Sequence, residues 1–166
     1  MNRQPLHDTS ESVEEYLEAL WISAEEGKPV AKIVWVARRL GVAPPSVVEM
    51  FKRLEEQGLV KYSPYRGVGL AEAGRTIARR MVRNHRLVEF LMKQTLNIDA
   101  DEGIACGVEH HMTEEFTDAL CSLLGHPRKC PHGNQIPRGK CCEDAEKARP
   151  PLGQAQVTPF SSYLTG

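Results

Sequence analysis

The sequence predicts a mainly α protein in which an N-terminal winged helix-turn-helix is followed by an all-helical domain. Two short helical patterns meet at Gly41 with almost nothing between them, the spacing of a helix-turn-helix. Directly after them, "LVKYSPYRGVGL" gives two strand-like runs around a Pro/Gly turn, as a hairpin wing requires. Apolar positions then recur at helical spacing as far as Gly125. A chain of 166 residues holds one substantial domain or two small ones and can bury a core without disulfides.

The elements follow in order. Val13, Leu17, Leu20 and Trp21 recur at helical spacing between Ser10 and Glu26, and "SESVEE" supplies a cap followed by first-turn acids. "VAKIVWVARRL" is a second, short helix closed by Gly41. "APPSVVEMFKRLEEQGL" is a third, with Pro44 and Pro45 at its start and Gly58 past its end. At about 100° per residue, Val47, Phe51 and Leu54 share one face of it, and Pro45, Ser46, Glu49, Lys52 and Arg53 share the other. The apolar face packs and the polar face is free to enter a DNA major groove, with Lys61 and Arg66 of the wing along the backbone. Ala43, Pro45, Ser46, Glu49, Lys52, Arg53 and Arg66 are therefore the candidate DNA contacts. "AEAGRTIARRMVRNHRLVEFLMKQTL" is a long helix with Arg75, Arg79 and Arg83 on its polar side. "DADEGIACGVEHHM" and "TEEFTDALCSLLG" are two more, the latter capped by Thr113. The expected organisation is a winged helix-turn-helix over residues 1–74, a helical domain over 75–142 ending in a Cys-rich loop, and a flexible tail over 143–166.

Charge is unevenly spread. Residues 1–27 carry seven Asp/Glu and one Lys/Arg, whereas residues 28–93 carry fourteen Lys/Arg and five Asp/Glu. A basic middle masked by acidic flanks is what a polyanion-binding surface leaves in a sequence. No stretch has the apolar length of a membrane span and no secretory signal opens the chain, so the expectation is a cytosolic protein. In that reducing setting Cys106, Cys121, Cys130, Cys141 and Cys142 read as thiols or metal ligands before disulfides.

The stretch "CGVEHHM" concentrates the chemistry. Cys106, Glu109 and His110 stand at i, i+3 and i+4, so one helix face projects all three. His85 and Glu89 are an i, i+4 pair on the long helix, and Glu15 and Glu18 an i, i+3 pair on the first. Three helices presenting these side chains can converge on one cation held between them. The mixture of imidazole, carboxylate and thiolate suits a divalent first-row transition metal better than calcium or magnesium. Apolar positions in the second half exceed what one layer can bury, so a homodimer is expected, and a two-fold protein reads a palindromic site.

Over roughly residues 8 to 137 the chain resembles the diphtheria-toxin-repressor and manganese-transport-regulator family of metal-dependent transcriptional repressors. The resemblance rests on "VEEYLEALW", "LGVAPPSVVEMFKRLEEQGLV", "YRGVGLAEAG", "RNHRLVEFL", "CGVEHHM" and "HPRKCPHGNQIP" in the family's order. It implies that Glu15 stands where the family has Met or Asp and that Glu18 matches an acidic ligand of the manganese-sensing branch. His85, Glu89, Cys106, Glu109 and His110 match ligand positions, and Glu102 stands where the iron-sensing branch has an ancillary-site His. Pro45 and Ser46 fall where the family touches bases. The chain is expected to be a short form without the SH3-like C-terminal domain of longer members. Its implied role is a repressor of metal-uptake genes, in which metal fixes a homodimer in the arrangement that binds a palindromic operator.

The soft Cys106 thiolate argues for Fe²⁺ and the hard donors Glu15 and Glu18 for Mn²⁺, so Fe²⁺ is favoured with Mn²⁺ next. Cys121, Cys130, Cys141 and Cys142, with His126 and His132 nearby, form a candidate second site for zinc or an iron–sulfur cluster. Two other readings compete. One is a winged-helix redox, iron–sulfur or zinc sensor that uses those cysteines. The other, a small metallohydrolase with Glu109 as general base, lacks an H-E-x-x-H spacing, a Gly-rich phosphate loop and a G-x-S-x-G turn.

Overall fold

The structure is a computed structural model that describes residues 10–148. Helix α1 (Glu11–Glu25) leads into α2 (Ile33–Leu40) and α3 (Pro44–Glu56), and the hairpin β1 (Val60–Ser63) and β2 (Gly67–Leu70) follows. Its antiparallel register pairs Val60 with Leu70 and Ser63 with Gly67. Gly41 closes α2 at φ +66°, a left-handed turn that glycine adopts without steric cost, and α3 starts three residues later on Pro44. Val47, Phe51 and Leu54 are fully buried, together with Leu17 of α1, Val36 of α2 and Val68 of the wing. The Tyr16 and Phe51 rings meet edge-on, with centroids 5.5 Å apart. Ser10 is the N-cap residue of α1 by position, yet its side chain accepts no capping hydrogen bond.

Helix α4 (Glu72–Phe90) lies along α1 and carries the chain from the winged half into the second half. It gives way to a π-helical turn over Leu91–Thr95, where a plain helix to Leu96 was expected. Helices α5 (Glu102–Glu109) and α6 (Glu114–Leu123) follow, capped by Asp101 and Thr113 side chains that accept from the Ile104 and Phe116 amides. A second core gathers Leu87, Val88, Met92, Ala105, Met112, Leu120 and Ile136. The Cys-rich loop and the start of the tail need correcting, because residues Lys140–Lys147 form a helix, α7. It escaped the sequence reading because "KCCEDAEK" is polar on nearly every side and buries only Cys142. The tail expected over 143–166 lies outside the described residues from 149 onward. No helix among the described residues is long and apolar enough to cross a membrane.

Candidate metal centre

A cleft of about 730 Å³ opens between α1, α4 and α5. Seven glutamates line it (Glu15, Glu18, Glu25, Glu26, Glu89, Glu102 and Glu109), against the cationic groups of Arg39, Arg86 and His85. Such a wall of acids focuses a negative potential and attracts cations.

The ligand atoms fall into two neighbouring groups, where the sequence suggested one cation. Glu15, Cys106 and His110 place their donors within 4.8 Å of one another, and so do Glu18, His85 and Glu109. Glu109 sits between the groups: its Oε2 accepts from His85 Nδ1 at 2.7 Å, and its Oε1 lies 3.5 Å from His110 Nε2. The side chain is fully buried and Oε1 has no hydrogen-bond donor. A buried carboxylate oxygen without a donor is costly. A cation there would satisfy it, so the residues present fit a metal ion.

Glu89 departs from the expected set. Its Oε1 is 3.6 Å from His85 Nε2 but 2.9 Å from His132 Nδ1, and with Cys130 and His132 it forms a third group of donors. Cys130 is thus separated from the other C-terminal cysteines. The sequence had placed it with Cys121, Cys141 and Cys142, whereas the structure gathers those three with His126. Burial works against ionisation of Cys142. The Gly139 backbone hydrogen bond, His126 and the flanking sulfurs outweigh it and bring the thiol down to about 7.

Neighbouring polar groups orient the ligands. Glu14, 1% exposed, accepts from His110 Nδ1 at 2.8 Å and from Arg80 at 2.7 Å, which turns His110 Nε2 towards the Cys106 sulfur 3.9 Å away. Buried Asn84 donates to the Glu109 carbonyl at 3.0 Å and accepts from Thr117 at 2.7 Å, tying α5 to α4 and α6. Glu14 was missed in the sequence, where it looks like one acid among several at a helix start. Its signal is positional: Glu14 shares the buried face of Leu17, one turn further on.

Proton affinities reflect the crowded acids. Burial and the Glu109 charge raise Glu18 to about 7. Burial opposes a charged His85, yet hydrogen bonds to Glu109 and Glu89 and the Glu18 charge outweigh it and lift the imidazole to about 10. Burial, Glu109, Glu15 and Glu18 push the Cys106 thiol to about 11. The His85 imidazolium is thus a counter-cation of this carboxylate cluster in the metal-free chain, beside Arg39 and Arg86.

The basic excess of the middle segment is partly internal. Arg80 pairs with Glu14, Arg83 with Asp118 and Arg86 with Glu25, so these cations hold α4 to α1 and α6 and are not free for a polyanion. The candidate DNA contacts Ala43, Pro45, Ser46, Glu49, Lys52 and Arg53 are exposed on α3 and its cap, and Arg66 is exposed at the tip of the wing.

Comparison with known families decides the assignment. Residues 8–68 match the iron dependent repressor N-terminal DNA binding domain, and residues 71–138 match the iron dependent repressor metal binding and dimerisation domain. The chain belongs to the iron-dependent repressor family. The diphtheria toxin repressor of Corynebacterium glutamicum is 34% identical over 136 residues, 80% of this chain and 58% of that one. An uncharacterised HTH-type transcriptional regulator of Methanocaldococcus jannaschii is 30% identical over 113 residues, 67% of this chain and 90% of that one. A manganese-dependent transcriptional repressor solved with manganese superposes with a TM-score of 0.70 at 31% identity, over 76% of this chain and 59% of that one. The chain thus spans less than two thirds of its longer relatives. Iron-dependent repressors are transcriptional regulators and not enzymes, which removes the metallohydrolase reading.

Proposed function

We propose that this iron-dependent repressor family member is a homodimeric, metal-activated repressor of metal-uptake genes, responding to Fe²⁺ before Mn²⁺. The observation that carries the reading is the double use of α1. One face offers Glu15 and Glu18 to the cleft, and the other buries Tyr16, Leu17 and Leu20 in the core that supports α3. An ion joining Glu15 to Cys106 and His110, or Glu18 to His85 and Glu109, would link α1 to α4 and α5 and so fix the angle of the DNA-reading half. Metal then favours the DNA-competent arrangement by its differential affinity, and DNA must tighten metal binding by the same factor. When bound, the metal supplies a fixed double charge in place of mobile protons. Cys106 supplies the soft donor that favours Fe²⁺ over Mn²⁺. Ile104, Val108 and Phe116 leave apolar surface exposed on α5 and α6, which supports self-association and a palindromic operator.

The test starts from a randomised duplex pool selected with the Fe²⁺-loaded chain under anaerobic conditions. The enriched duplex is then titrated with and without Fe²⁺ or Mn²⁺. Binding is expected only with metal and is expected to be lost in the Cys106→Ala, His110→Ala double variant. Equal binding without metal would reject the proposal, and a double variant that still responds would reject Cys106 and His110 as the ligands that carry the response.

A further inference from the structure

The cleft uses Cys106 and leaves four cysteines without a role, three of which meet elsewhere. Cys121 lies near the end of α6, His126 in the loop that follows, and Cys141 and Cys142 in the first turn of α7. The Cys121 and Cys142 sulfurs are 3.6 Å apart, those of Cys141 and Cys142 3.9 Å, and His126 Nδ1 is 3.7 Å from the Cys121 sulfur. All four donor atoms lie within 4.8 Å of one another. A tetrahedral ion with metal–sulfur bonds of ~2.3 Å and metal–nitrogen bonds of ~2.1 Å has sulfur–sulfur edges of ~3.8 Å and sulfur–nitrogen edges of ~3.6 Å. The three specified separations match those edges. We propose that Cys121, His126, Cys141 and Cys142 bind one Zn²⁺ in a structural site that fastens α7 to α6.

Two independent features call for such a fastening. Helix α7 has eight residues and buries only Cys142. A helix this short is marginal alone, and one buried side chain cannot hold it by apolar contact. Its ion pairs, Glu146 with Arg128 and Arg138, lie at the surface and contribute little. The surroundings are also built for ligands. Buried Arg83 donates to the Cys141 sulfur at 3.1 Å and is itself held by Asp118 at 2.7 Å, as partners that orient metal ligands usually are. A Cβ on Gly139 would run into the Arg83 guanidinium, so glycine there leaves room for that arginine beneath the start of α7. His126 adopts φ +56°, an uncommon conformation for a residue with a side chain. Its amide donates to the Cys121 carbonyl while its ring meets the same residue's sulfur.

Cobalt(II) substitution tests the site in the 166-residue chain, reduced and anaerobic, on a Cys106→Ser background that removes the thiolate donor of the cleft. One tightly held Co²⁺ with an intense thiolate charge-transfer band and tetrahedral d–d bands is expected, displaced by Zn²⁺. Cys130→Ser keeps the band, because Cys130 belongs to a different group. Cys142→Ser and, since that change also alters a buried side chain, the half-buried His126→Asn each lose the four-donor spectrum. In the wild-type sequence, chelation of Zn²⁺ is expected to cost the α7 amides their protection from hydrogen exchange. A missing charge-transfer band, a spectrum unchanged in both variants, iron accompanied by acid-labile sulfide, or α7 exchange indifferent to chelation would each overturn the proposal.

Discussion

Glu14 offers the sharpest test of how the cleft is held, because it touches a candidate ligand without being one. Its carboxylate accepts from His110 Nδ1 at 2.8 Å and from Arg80 at 2.7 Å, and both Glu14 and His110 are almost wholly buried. That bond fixes the proton on Nδ1 and leaves Nε2 as the donor. Loss of such a partner typically weakens metal affinity 10–100-fold, about 1.4–2.8 kcal/mol. Glu14→Gln keeps an acceptor oxygen but removes the charge, so it belongs at the tenfold end. Glu14→Ala leaves His110 and Arg80 without their partner and belongs near 100-fold. Anaerobic competition of Fe²⁺, or of Mn²⁺, against a chromophoric chelator measures the change, and thermal melting of the metal-free variants separates a folding defect from a lost orientation. Unchanged affinity in both variants, with the fold intact, would refute the assignment of Glu14 as the residue that orients His110.

Protons give a second prediction. Filling both donor groups must displace the protons of Glu18, His85 and Cys106, so about three are released near pH 6 and about two near pH 8.5, above the Glu18 value of about 7. Calorimetry in buffers of different ionisation enthalpy counts them, and a pH-independent count would exclude Glu18. Without metal, Glu18 and His85 bind more protons in the folded than in the unfolded chain across the neutral range. Their contribution to stability is therefore lost with rising pH, for Glu18 between its ordinary 4.5 and about 7 and for His85 between 6.5 and about 10. A chelated chain should accordingly melt lower at pH 8.5 than at pH 6, with metal reversing the trend. Removing the exposed wing cation by Arg66→Ala should reduce the salt slope of DNA binding by about one without changing sequence preference. An unchanged slope would place Arg66 off the phosphates. Phe51→Ala, at a fully buried position, should cost about 3–5 kcal/mol in urea unfolding, and a loss under about 1 kcal/mol would mean the core had closed over the gap.

The winged half was legible because each of its devices is local: Gly41, the proline pair at the start of α3, the 3.6-residue face of Val47, Phe51 and Leu54, and a hairpin turn. The donors Cys106, Glu109 and His110 were equally local, since one turn of α5 sets their spacing. What could not be read was the partition between groups. Whether Glu89 pairs more closely with His85 or with His132, and whether Cys130 joins the other cysteines, depends on how the segment after α6 folds back, which no helical period encodes. Helix α7 was hidden for the same reason: its link to the rest runs through sulfur and an arginine, and not through an apolar stripe.

The pairing of Glu14 with His110 also bounds what metal can do in the proposed switch. Without metal, α1 is already held to α4 by Arg80–Glu14 and Arg86–Glu25, and the His85 imidazolium already neutralises part of the acid cluster. Metal therefore replaces a proton-stabilised arrangement; it does not order a loose one. Only the difference between the two is available to shift the population of DNA-competent dimers. That difference is largest where the proton leaves a group unsatisfied, and in the cleft that group is Glu109 Oε1. Glu109→Gln should consequently separate the two states: its amide oxygen can still accept from His85 and its amide nitrogen can donate within the cluster, while its lost charge denies the ion its central ligand. The variant is expected to melt at or above the temperature of the metal-free wild type yet to bind DNA no better with Fe²⁺ than without it. If Glu109→Gln still answered to Fe²⁺, the coupling between ion and reading head would have to run through Glu15, Cys106 and His110 alone.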